Sequence, residues 1–144
     1  MRRRFAAAVL SALVFVAVGC GSSSSDKGPT KAEYITKADA ICKAGNDQLR
    51  VAIQGAGSSP TAAQVKALAT SVFIPNLEGQ LKSLRALKPP KADKATVKSL
   101  LDGLETAIGK LKADPSQLAA SGGGPFAAVN AQANSYGLKA CGAG

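Results

Sequence analysis

Apolar positions along the chain fall into two regimes: one unbroken run near the start, then stripes that recur every three or four residues. The stripes predict helices. The first covers residues 31–54, where Ile35, Ala38, Cys42, Gly45, Leu49 and Ala52 follow at spacings of 3, 4, 3, 4 and 3, with Tyr34, Ile41 and Ile53 widening the seam. Thr30 with Glu33 three residues on predicts a capping box. Glu33 with Lys37 and Asp39 with Lys43 stand at i,i+4 in the favourable order and predict two ion pairs on the outer face. Gly55-Ala-Gly57-Ser-Ser-Pro60 ends the helix.

A second helix is expected over 61–87. It carries one stripe of Val65, Leu68 and Val72 and another of Leu77, Leu81, Leu84 and Leu87. The two are out of phase and Pro75 lies between them, so a bend is expected at 71–75. Pro89-Pro90 closes this helix and opens a third over 91–113, with Val97, Leu100, Leu101, Leu104, Ile108 and Leu111 on one face. Asp114-Pro115 can cap a short further turn to 120, and Gly122-Gly123-Gly124 reads as a flexible hinge. The last helix begins near Pro125 and uses Phe126, Val129, Ala133 and Tyr136, with Gly137 as left-handed cap and Leu138 as its apolar follower. Four amphipathic helices with mostly short connections imply an all-α, up-down antiparallel four-helix bundle over 31–144.

The unbroken run is of another kind. Met1-Arg2-Arg3-Arg4 precedes fourteen apolar or small residues from Phe5 to Val18, then Gly19 and Cys20. Fourteen is short of the roughly 20 residues that cross a bilayer, which argues against an uncleaved span. A basic start, a short apolar centre and small residues before a cut are the marks of an export signal. Cysteine directly after the small residues resembles a bacterial lipoprotein signal. That resemblance implies loss of residues 1–19 and lipid, palmitate included, on the Cys20 sulfur. Ordinary secretory cleavage at Ala17-Val18-Gly19 would cut the same bond, and Ala17 stands where the lipoprotein pattern usually has Leu. Residues 20–30 then read as a lipidated cysteine and a Gly/Ser tether. Its last ten residues span roughly 33 Å when extended.

Removing the signal changes the charge. The chain carries a net +9, and loss of the three signal arginines leaves about +6. Four Phe, two Tyr and no Trp force a core of Ala, Leu, Val and Ile, which suits helices. With Cys20 assigned to lipid, Cys42 and Cys141 remain in an oxidising compartment, so a disulfide between them is expected. They lie 99 residues apart. The chain-entropy model values such a closure at about 4.7 kcal/mol.

The chain has no histidine, which excludes Ser-His-Asp and Cys-His catalysis and removes the usual ligand of zinc and haem sites. Met1 is the only methionine and belongs to the signal. Ser24 to Lys27 matches S-x-x-K but lies in the tether without its companion motifs. Gly55-x-Gly57 lacks the third glycine of a dinucleotide fingerprint, and Gly122 to Gly124 lacks the Lys-Ser/Thr of a phosphate loop. No catalytic residue, metal site or cofactor is expected, and the protein is read as no enzyme.

One charge cluster stands out. Lys82, Arg85, Lys88, Lys91, Lys94 and Lys98 place six bases in seventeen residues, against Asp93 alone, around the turn joining helices two and three. In an up-down bundle this turn shares a pole with the start of helix one and the end of helix four, the pole that carries the tether. It would face the membrane, where each base near anionic head groups is worth about 1 kcal/mol. The alternative is a set of solvated lysines beside a proline turn. Nucleic acid is not an expected partner, because export removes access and aromatic stacking platforms are missing.

Tyr34-Ile35-x-x-Ala38-Asp39-Ala40-Ile41-Cys42, Gly137-Leu138-x-x-Cys141 and the Leu-rich segment 81–90 together resemble a group of small helical lipoproteins of high-GC actinobacterial type with no assigned activity. The resemblance implies an exported helical domain with the two cysteines paired. The leading expectation is a non-catalytic interaction or envelope-associated module, lipid-anchored on the extracytoplasmic face of the cell membrane and meeting an unidentified envelope protein or ligand. The alternative is a carrier for a small apolar ligand or lipid. A carrier needs a lined cavity of roughly 300 Å³ or more, whereas a module should have a filled core and an exposed patch.

Overall fold

A computed structural model describes residues 28–143, so the expected signal segment 1–19, Cys20 and most of the expected tether lie outside the described residues. The described chain is all-helical. Helix α1 is Lys31–Ala56 and starts as its sequence dictates: the Thr30 hydroxyl accepts the Glu33 N–H at 3.2 Å, and Glu33 accepts the Thr30 N–H at 2.8 Å. Helix α2 is Ala62–Leu68, opened by a second capping box between Thr61 and Gln64.

The bend expected near Pro75 is present as a π turn, Ala69–Phe73, that joins α2 to α3, Ile74–Arg85. The Ile74 N–H reaches back five residues to the Ala69 carbonyl. Proline lacks an N–H, so the regular ladder fails at Pro75 and the wider turn takes up the misfit. The extra residue also turns the chain by about 100°, which brings Leu77, Leu81 and Leu84 onto the face that the upstream stripe had left. The helix ends at Arg85, two residues before the expected limit.

A 3-10 turn, Lys91–Asp93, leads into α4, Lys94–Ala113. Asp114 caps a second 3-10 turn, Pro115–Ala119, by accepting the Ser116 N–H at 3.1 Å. Gly122, Gly123 and Gly124 have φ of 67°, 84° and 50°, a left-handed run that only glycine adopts three times over. Helix α5, Ala127–Tyr136, follows and stops at Gly137, whose φ is 111°, with the Leu138 N–H bonded to the Ala133 carbonyl.

Helices α1 and α4 both pack on α3, and α5 packs on α4. The buried seam of α1 is Tyr34, Ala38, Cys42, Gly45 and Leu49. Tyr34, placed by its periodicity at the edge, is at the centre with 2 % exposure, whereas Ile53 is 51 % exposed because the packed seam ends at Leu49. Among the described residues neither i,i+4 pair expected on α1 closes to a salt bridge. Glu33 is held by its cap, Lys43 pairs with Asp47 at 2.6 Å, and Asp39 turns to the far end of the chain. A disulfide joins Cys42 to Cys141, with Cα atoms 5.0 Å apart.

Candidate functional site

The core consists of two clusters rather than one. The larger gathers Tyr34, Ala38, Cys42, Leu84, Val97, Leu100 and Tyr136 with residues of α5. The smaller holds Ala69, Ile74, Leu81, Ile108 and Leu111. Leu101, Leu104 and Phe126 pack against both. Along that seam lies a cavity of about 250 Å³, half open to the outside. Its walls are Leu77, Leu84, Leu100, Leu101 and Leu104 on one side and Phe126, Val129 and Ala133 on another. The cause is compositional: an interior of Leu, Val and Ala with few aromatic rings does not fill the gap between helices, and small residues such as Gly123 and Ala143 border what is left.

Polar groups reach the cavity only as neutral amides and a phenol. Asn46, Gln80, Gln117, Asn130 and Tyr34 are on its wall, and among the described residues no Asp, Glu, Lys or Arg is. Gln80 is 8 % exposed and donates to Asn76 Oδ1 at 2.7 Å, while Asn76 donates to Gln48 Oε1 at 2.8 Å. Gln80 fits only because residue 45 is glycine, since a Cβ there would collide with its side chain. Asn46 donates to the Ala140 carbonyl at 2.8 Å. Among the described residues the Asn130 side-chain amide makes no hydrogen bond, although it is half-buried. Burial pushes the Tyr34 phenol above its ordinary ionisation range.

The C-terminal segment forms part of the rim through Leu138, Cys141 and Ala143. Asp39 accepts the backbone N–H groups of Lys139, Ala140 and Cys141 at 3.1, 3.0 and 3.3 Å. The Asn134 side chain donates to the Gly142 carbonyl at 2.8 Å, and the Asn134 main-chain carbonyl accepts the Lys139 ammonium at 3.4 Å. Both disulfide sulfurs belong to residues of the cavity wall. No motif marked this site, because it is made of ordinary Leu and Asn positions whose meeting depends on the packing of four helices.

The six bases around the turn between α3 and α4 are all exposed, but they are not equivalent. Arg85 pairs with Glu105 at 2.7 Å and lies 3.9 Å from Asp102, and Lys98 pairs with Asp102 at 2.5 Å. Those acids sit one and two turns along α4, outside the segment in which Asp93 is the only acid. Asp93 accepts the Tyr136 hydroxyl at 2.7 Å, and the Lys31 ammonium lies 4.3 Å from the centre of the Tyr136 ring. The start of α1, this turn and the end of α5 therefore meet. Gly28 joins them, since a Cβ on it would lie 3.8 Å from Lys88 Cε and 4.0 Å from Lys91 Cγ. Burial, then the Asp93 bond, pushes the Tyr136 phenol far up.

Among the described residues no helix is long and apolar enough to cross a membrane, and no group of His, Cys, Asp or Glu gathers to hold a metal ion. No protein-family model matches the chain, and no curated protein or solved structure is detectably similar to it.

Proposed function

We propose that the protein is a non-catalytic binding protein, anchored through lipid on Cys20 to the extracytoplasmic face of the cell membrane, that carries a small apolar ligand between its helices. The observation that carries this is the Leu-lined cavity of about 250 Å³ at the seam of the two core clusters. It is slightly under the roughly 300 Å³ at which ligand sites usually begin, but it is half open, so part of a ligand can extend outward. An engineered cavity of about 150 Å³ already binds benzene.

The anchor rests on the Cys20 pattern and on the approach of the chain, which enters at Gly28 beside Lys88 and Lys91. An up-down antiparallel bundle agrees with the meeting of α1's start, the α3–α4 turn and α5's end. With Arg85 and Lys98 held by acids, Lys82, Lys88 and Lys94 are the bases best placed to meet anionic head groups beneath that pole. An interaction module is favoured instead by the far end of α1, where Val51 and Ile53 are 66 % and 51 % exposed.

Native mass spectrometry of the protein extracted in mild detergent from its own membrane tests both parts. A chain lacking residues 1–19, with acyl mass on Cys20 and a bound small apolar molecule, is the expected result. An unmodified Cys20 thiol contradicts the anchor, and a ligand-free domain in every preparation contradicts the carrier.

A further inference from the structure

The chemistry of the cavity wall specifies the ligand further than its volume does. Resting on the carrier reading above, the geometry points to an uncharged ligand: a slender aliphatic chain with a neutral hydrogen-bonding head, such as an alcohol, ester or amide, seated against Asn130.

Three features of the site lead there. The first is size. At about 30 Å³ per water-sized group, 250 Å³ holds roughly eight heavy atoms, enough for a short stretch of chain whose remainder extends through the open side. The second is charge. Among the described residues the wall carries no ionic side chain, and an ionised group placed against it would lose its water without gaining a counter-ion. The upward push on Tyr34 by burial is the same effect acting on a group of the wall itself. The third is the polar complement. Gln80, Asn46 and Gln117 are committed to protein partners through their NH2 groups, whereas among the described residues the Asn130 amide and the Tyr34 hydroxyl make no hydrogen bond. An amide both donates and accepts, so it matches an alcohol, ester or amide head directly.

The opposite preference would follow from net charge. A domain of about +6 attracts a carboxylate over long range, so selection of a neutral chain has to come from the cavity.

Calorimetric titration of the oxidised domain, residues 28–144, with 1-octanol, octanamide and octanoate at pH 7.4 makes the test, after circular dichroism shows that this segment folds without its leader. Octanol and octanamide should bind at least tenfold more tightly than octanoate, and octanoate should gain as the pH falls towards the carboxyl range of about 4 to 5. Asn130→Leu, which breaks no hydrogen bond among the described residues, should weaken octanamide at least threefold while leaving thermal stability unchanged. Octanoate binding as tightly as octanamide, or octanamide indifferent to Asn130→Leu, overturns the neutral-head assignment and leaves the carrier standing. Failure of all three compounds to bind overturns both.

Discussion

The carboxylate of Asp39 accepts the backbone N–H of Cys141 at 3.3 Å, and Cys42, three residues further along α1, holds the sulfur of that same residue. The C-terminal segment is thus fixed to one face of α1 by a covalent bond and by a carboxylate that also receives Ala140 and Lys139. Asp39→Ala leaves three amides without their acceptor and should cost about 1–3 kcal/mol, with Asp39→Asn costing less because one oxygen remains. The double variant Cys42→Ser with Cys141→Ser should cost about 2–5 kcal/mol. Urea unfolding checks both. In the disulfide-free background the Asp39 substitution should cost less than in the oxidised protein, because the segment it holds is then loose; strict additivity would contradict the shared role.

Gly45 and Gln80 form a second coupled pair. A methyl at position 45 would meet Gln80, whose Cγ lies within 2.7 Å of the added carbon. Gly45→Ala should therefore destabilise by about 1–3 kcal/mol despite its better helix propensity. In a Gln80→Ala background the same change should approach neutrality, as a double-mutant cycle by thermal unfolding would show. An equal penalty in both backgrounds would contradict the contact.

Stability should be level across neutral pH and fall at both ends. The chain has no histidine to titrate between carboxyl and tyrosine ranges. On the acid side, the Thr30 N–H and hydroxyl lower Glu33, Lys43 lowers Asp47, Arg85 lowers Glu105 and Ser116 lowers Asp114. A carboxylate depressed in the native state binds fewer protons than in the unfolded chain. Its contribution is present above the ordinary values of 4.5 and 3.8 and is lost as the pH falls below them. Glu33, Glu105 and Asp114 are exposed and the Asp47 side chain is about half exposed, so each effect is small. On the alkaline side Tyr34 and Tyr136 are raised, so the native state keeps protons that the unfolded chain releases from pH 10 upward, and stability declines there. Tyr136→Phe should flatten the alkaline limb, measured as denaturation midpoint against pH; an unchanged slope would contradict the assignment.

For the basic pole, Lys82→Glu, Lys88→Glu and Lys94→Glu together should sharply weaken binding of the unlipidated domain to vesicles containing anionic lipid, with the effect vanishing at high salt. Arg85→Glu should mainly destabilise, since it sets a carboxylate against Glu105 and Asp102. Vesicle sedimentation separates the two. No loss with the triple variant leaves solvated lysines as the better description.

What the sequence made legible was local. Thr30 and Glu33, Asp114 and Ser116, and Gly137 with Leu138 each act within a few residues, and their chemistry does not depend on the rest of the fold. Pro75 announced a break but not its form, because a kink and a π turn satisfy the missing N–H equally in sequence terms. Asp39 has a local candidate partner in Lys43 and Arg85 has none, yet both are used across the structure, Asp39 about a hundred residues away and Arg85 on α4. The cavity is the residue of imperfect packing between Leu and Ala faces, and no periodicity encodes an absence of volume.

The most direct measurement of the central claim is methyl NMR of the oxidised domain titrated with 1-octanol. Occupancy of the cavity predicts shifts at Leu101, Leu104 and Val129, with the exposed methyls of Val51 and Ile53 unmoved. Shifts confined to Val51 and Ile53, or none at any concentration up to saturation, would contradict it.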